Sequence, residues 1–113
     1  MMDKIIQESA LRELTRRLED KFPAQISQVF LYGSRARGDA EDVSDVDILV
    51  IADSNDWRLK HEISNLAADI SLEFGLLLDS HVISSDKWQW MGKRNFRYYN
   101  NVMAEGVPIT PAA

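Results

Sequence analysis

A chain of 113 residues, 45% apolar and 27% charged, has the size and balance of one soluble globular domain, residues 1–113. It has no cysteine, which excludes disulfides, zinc–thiolate centres and thiol catalysis and suits a reducing, cytoplasmic setting. Its formal charge of −5, from 18 acids against 13 bases, is the wrong sign for a protein that grips long nucleic acid through its phosphates.

The N-terminal stretch "MMDKIIQESALREL" carries acids and no apolar core run, so it does not read as a signal peptide. No apolar run approaches the roughly 20 residues of a membrane span, and no membrane partner is expected. Ile6, Ala10, Leu14 and Leu18 recur every four positions with Leu11 beside them. That spacing predicts an amphipathic helix from about Met2 to Phe22, stopped by Pro23. "ISQVFLY" (Ile26 to Tyr32) is rich in β-branched and aromatic residues and ends at Gly33-Ser34, as a strand should. "VDILVIA" (Val46 to Ala52) is a second strand whose unbroken apolar run implies burial on both faces.

Ser54-Asn55-Asp56 offers a helix N-cap, after which Leu59, Ile63, Leu66, Ala67, Ile70 and Phe74 keep helical spacing as far as Gly75, a C-terminal cap. "LLLDSHVI" (Leu76 to Ile83) reads as a third strand interrupted by polar residues. A last helix is expected from Ser84-Ser85-Asp86 to about Glu105, although "RNFRYYNN" within it is poor in helix formers. Helix, strand, strand, helix, strand, helix predicts an α/β fold, a small mixed sheet with helices packed on it.

Ten residues separate Ser34 from Asp45, too few for the crossover that a parallel pair needs, so the first two strands should pair antiparallel. Gly33-Ser34 then meets Asp45 and Asp47 at one edge of the sheet. The two acids share a face, roughly 7 Å apart at Cα, and can converge on divalent ions about 3.5–4 Å apart. Glycine lets backbone approach an anion, and serine adds a hydroxyl and an amide. Arg35 and Arg37 could hold outer phosphates. Oxygen ligands favour Mg²⁺. Asp79, unexpected within a strand, could face the acid pair if the third strand neighbours the second, with His81 on the same face. Trp88, Trp90, Phe96, Tyr98 and Tyr99 read as core or protein interface rather than as a base-stacking platform, given the negative net charge.

Gly33-Ser34, ten residues, then Asp45-Val46-Asp47 resembles the signature of the DNA polymerase β-like nucleotidyltransferases. The longer "YGSRARGDAEDVSDVDILV" resembles the minimal nucleotidyltransferases (MNT), often encoded beside a HEPN-domain partner. The resemblance implies a polymerase β palm-like fold and Mg²⁺-dependent transfer of a nucleoside monophosphate, with ATP as substrate. In that reading Asp45, Asp47 and Asp79 are catalytic and metal-binding, and Gly33, Ser34, Arg35 and Arg37 bind nucleotide. It further implies an antitoxin that adenylylates a tyrosine of a HEPN-domain ribonuclease toxin. A non-catalytic antitoxin acting by contact, and a nucleotidyltransferase for an aminoglycoside-like small molecule, are the alternatives.

Overall fold

The structure, a computed structural model, describes residues 2–33 and 45–109. Helix α1 (Met2–Lys21) leads into strand β1 (Ile26–Tyr32), then β2 (Val46–Ala52), helix α2 (Trp57–Phe74) and β3 (Leu78–Ser84). Helices α3 (Ser85–Lys93) and α4 (Arg97–Glu105) follow, and Val107–Pro108 forms a short β4. The sheet order is β3-β2-β1-β4. β1 pairs antiparallel with β2 and β4, while β2 and β3 run parallel across the α2 crossover.

β2 lies inside the sheet and is buried on both faces, as its unbroken apolar run predicts. On one face Val29, Leu31, Ile48 and Val50 pack beneath α1 (Leu14, Leu18) and α2 (Ile63, Ile70). On the other, Phe30, Leu49 and Ile51 meet Trp88, Met91 and Val102 from α3 and α4. The result is a mixed sheet between two helical layers.

Caps fix where α2 sits. The Asp56 carboxylate accepts from the Arg58 amide at 2.9 Å, and Gly75 ends the helix in the left-handed region, φ 68°, donating to the Ser71 carbonyl. The Ser71 hydroxyl accepts from the Leu78 amide at 2.9 Å, which ties the end of α2 to the start of β3.

The single helix expected from Ser85 to Glu105 is in fact two. Asn95 takes φ 56°, the Asn95 amide donates to the Gly92 carbonyl, and the Phe96 amide donates to the Met91 carbonyl. This pair of bonds is a Schellman motif that ends α3 and redirects the chain. The third strand begins at Leu78 rather than Leu76, because Gly75 to Leu77 are used to turn out of α2. β4 was not anticipated; it pairs Val107 with Leu31 and Pro108 with Phe30.

Candidate active site

Three strands deliver the candidate residues to one row. Tyr32 pairs with Asp47 across the β1–β2 ladder, and Asp47 pairs with Asp79 across the parallel β2–β3 ladder. Residues opposite one another in a ladder share a face. The row lies on the face of Leu49 and Ile51, beyond the part that Trp88 and Met91 cover. The Asp79 side chain keeps 46% of its accessible surface. Asp45, just before β2, is exposed.

The acids are close enough to oppose one another. The Asp47 carboxyl is held above the ordinary carboxylate value by partial burial, then by the negative charges of Asp79 and Asp45, and it is within hydrogen-bond reach of Asp79. His81 lies 3.4 Å from Asp79 and offsets part of this when protonated. Among the described residues no three His, Cys, Asp or Glu side chains already converge as a finished metal cage.

Gly33 completes the row. Its φ is +77°, and a Cβ placed on it would lie 2.5 Å from Asp47 Oδ2. Glycine is required there twice over, by backbone conformation and by the neighbouring carboxylate. Ser34, Arg35 and Arg37 lie outside the described residues.

Two tyrosines that sequence reasoning did not assign to the site form its inner wall. The Tyr32 and Tyr98 rings meet edge to face, with centroids 5.7 Å apart. Both hydroxyls resist ionisation, through burial first and then, among smaller causes, the charges of Asp47 and Asp79. The Tyr98 hydroxyl is buried and lacks a hydrogen bond of acceptable geometry, although the Tyr32 hydroxyl faces it. The signal for Tyr32 was its place beside Gly33; for Tyr98 there was none short of the α3–α4 packing.

A cavity of about 490 Å³ lies between α1, β1 and β4, lined by Leu18, Ile26, Val29 and Ile109 among others. Its lining holds one acid, Glu19, whereas the row on β1–β3 brings Asp47 and Asp79 side by side, and that row is the candidate centre.

Comparison with known proteins identifies the family and the fold. The family described as "Nucleotidyltransferase domain" matches residues 11–99. A Methanocaldococcus jannaschii protein, MJ0604, provisionally named a protein adenylyltransferase, is 31% identical over 101 residues, covering 88% of this chain and 94% of that protein. "Protein adenylyltransferase MntA" of Aphanizomenon flos-aquae is 38% identical over 87 residues, 77% of this chain but 56% of that protein. Among solved structures, one provisionally described as a minimal nucleotidyltransferase superposes with TM-score 0.58 at 26% identity, covering 91% of this chain and 93% of that one. A crystal structure of the MntA–HpeT toxin–antitoxin gives TM-score 0.59 at 20% identity, covering 90% and 73%, and at that identity speaks for the fold alone.

Proposed function

This chain belongs to the nucleotidyltransferase domain family, of the minimal type, and from that premise we propose that it transfers AMP from ATP to a tyrosine hydroxyl of a partner protein. The acceptor in this reading is a HEPN-domain toxin, which the modification silences, so the chain acts in the cytoplasm as an antitoxin. The protein-adenylyltransferase names of relatives in the two organisms support it, as does the toxin–antitoxin setting of a structural neighbour. No helix of the described residues is long and apolar enough to cross a membrane.

The observation that carries the reading is the contact of Asp47 with Asp79 across parallel strands, beside Asp45 and under Gly33. Asp47, with Asp79 and Asp45 near enough for their charges to act on it, belongs to an all-oxygen set of donors. That set fits Mg²⁺. Asp45, Asp47 and Asp79 would hold the metal, which when bound would neutralise and orient the phosphate oxygens.

The remaining work falls to the chain. Gly33 and Ser34 would receive the triphosphate, which Arg35 and Arg37 would bind from outside. Tyr32 and Tyr98 close the inner side of the site and keep water from that wall. The acceptor oxygen attacks the α-phosphorus and the new O–P bond forms. The bond from that phosphorus to the bridging oxygen breaks, pyrophosphate leaves, and Asp79 takes the acceptor proton.

The test is incubation of the chain with its cognate HEPN-domain protein, Mg²⁺ and α-labelled ATP. Label should appear on the partner with wild type and be lost with Asp47→Asn. Binding of the partner without labelling would refute transfer and leave neutralisation by contact.

A further inference from the structure

Helix α3 leaves the end of β3 and packs on the face that carries the acids, where Trp88 and Met91 join Phe30, Leu49 and Ile51. Trp88 packs on Phe30 and Tyr98 on Tyr32, and Tyr98 feels the charges of Asp47 and Asp79. The α3–α4 turn therefore stands at the rim of the candidate active site.

The turn is rigid and heavily cationic. Its Schellman bonds measure 3.1 and 3.0 Å, and the Asn100 side chain donates to the Asn95 carbonyl. Lys93, Arg94, Asn95, Phe96 and Arg97 are all exposed. Trp90 is 46% exposed and Phe96 38%, their rings 5.0 Å apart, with the Arg94 guanidinium 5.1 Å from the Trp90 ring. Among the described residues no carboxylate pairs with Lys93, Arg94 or Arg97.

Local structure explains part of this. A Schellman motif brings Phe96 onto the preceding turn, and cations suit the C-terminus of α3. It does not explain Arg97, which opens α4, where a positive charge opposes the helix dipole and Phe96 provides no side-chain cap. Three exposed cations without a carboxylate partner among the described residues, uncapped amides and two exposed rings suit a carboxylate-bearing surface around an apolar spot.

We infer that the α3–α4 turn is the docking element for the acceptor protein, with Lys93, Arg94 and Arg97 receiving acidic side chains beside the acceptor hydroxyl and Trp90 and Phe96 packing between them. This rests on the protein-acceptor reading above. An extended nucleic acid suits the turn less well, because Asp47 and Asp79 act on Tyr98 next to it in a chain of net charge −5.

The test measures binding of purified cognate HEPN-domain protein by titration calorimetry, together with AMP transfer and the KM for ATP. Lys93→Glu/Arg94→Glu/Arg97→Glu should raise the partner Kd about tenfold or more while the KM for ATP stays unchanged, and added salt should slow wild-type association. Arg97→Glu alone, which suits the α4 dipole and should fold, should move Kd in the same direction. The inference fails if wild type does not bind, or if both variants bind within about twofold of it. It also fails if the KM for ATP rises instead, assigning the turn to the triphosphate, or if a labelled RNA oligonucleotide binds and the variants lose it. Charge-dependent binding without AMP transfer would uphold docking and remove the transfer reading alone.

Discussion

Replacing Gly33 with alanine separates a backbone effect from a catalytic one. At φ +77° an L-residue carries a conformational cost of about 1–2 kcal/mol. At about 2.1 cal/mol/K per residue, unfolding a chain of 113 residues has an entropy near 0.24 kcal/mol/K. The backbone cost alone should thus lower Tm by about 4–8 °C. The new Cβ would also lie 2.5 Å from Asp47 Oδ2. That atom ends a flexible side chain, so it can swing aside at little cost in stability, but the swing carries the carboxylate off its row. A displacement of about 1 Å at a reacting centre costs on the order of a hundredfold in rate. Gly75 supplies the control, since its φ is +68° and an added Cβ there meets nothing within 4 Å. Gly75→Ala should lose similar stability, read by thermal unfolding, and keep AMP transfer, read by labelling of the partner. Gly33→Ala should lose both. If the two variants transfer AMP equally well per folded molecule, the assignment of Gly33 and Asp47 to one site is wrong.

Asp47→Asn should abolish transfer yet stabilise the metal-free protein near neutral pH. The folded-state pKa of Asp47 is raised, so between its ordinary value of 3.8 and that higher value the folded chain binds more protons than the unfolded one. Wild-type stability must therefore fall, relative to the variant, as pH rises through this window, and the gap should close below 3.8; urea unfolding across pH measures it. Mg²⁺ at 100 times its Kd should raise the unfolding free energy of wild type by about 2.7 kcal/mol and do much less for Asp47→Asn, read by thermal unfolding. Tyr98→Phe removes a buried hydroxyl without a well-formed hydrogen bond, and should leave stability unchanged or raise it by up to about 1 kcal/mol in urea unfolding.

Much of the fold was legible because it rests on local signals. The apolar run of β2 announced burial on both faces, Gly75 announced the end of α2, and a ten-residue gap forced an antiparallel hairpin. The final helix misled because Trp88, Met91 and Val102 keep one helical phase and enter the same cluster, so periodicity runs across the break. Only the left-handed Asn95 interrupts it, and asparagine is less emphatic there than glycine. β4 left no trace, since two residues ending in proline carry no strand pattern; the pairing arises because α4 returns the chain to the free edge of β1. The meeting of Asp47 with Asp79 was conditional for a similar reason. It depends on which strand β3 chooses and in what register, and both are set by the length and packing of α2.

That register also explains why the acids sit where they do along β2. Leu49, two residues further in on the same face, is fully buried in the cluster of Trp88 and Met91. A carboxylate there would lose its hydration with nothing to replace it. Asp47 is the first position outward on that face, half-buried, beyond the part that α3 covers. It is near enough to the core for its main chain to be held by paired neighbours on both sides, and wet enough for its charge to survive. The repulsion among Asp45, Asp47 and Asp79 is tolerable because Ile48 to Ile51, almost wholly buried, anchor the strand independently of it. Stability is thus set by the inner part of β2, and the proposed chemistry falls to its outer end. This division predicts that substitutions at the acids change activity far more than fold, whereas Leu49→Ala, which opens a cavity beneath Trp88, should cost about 2–5 kcal/mol of stability.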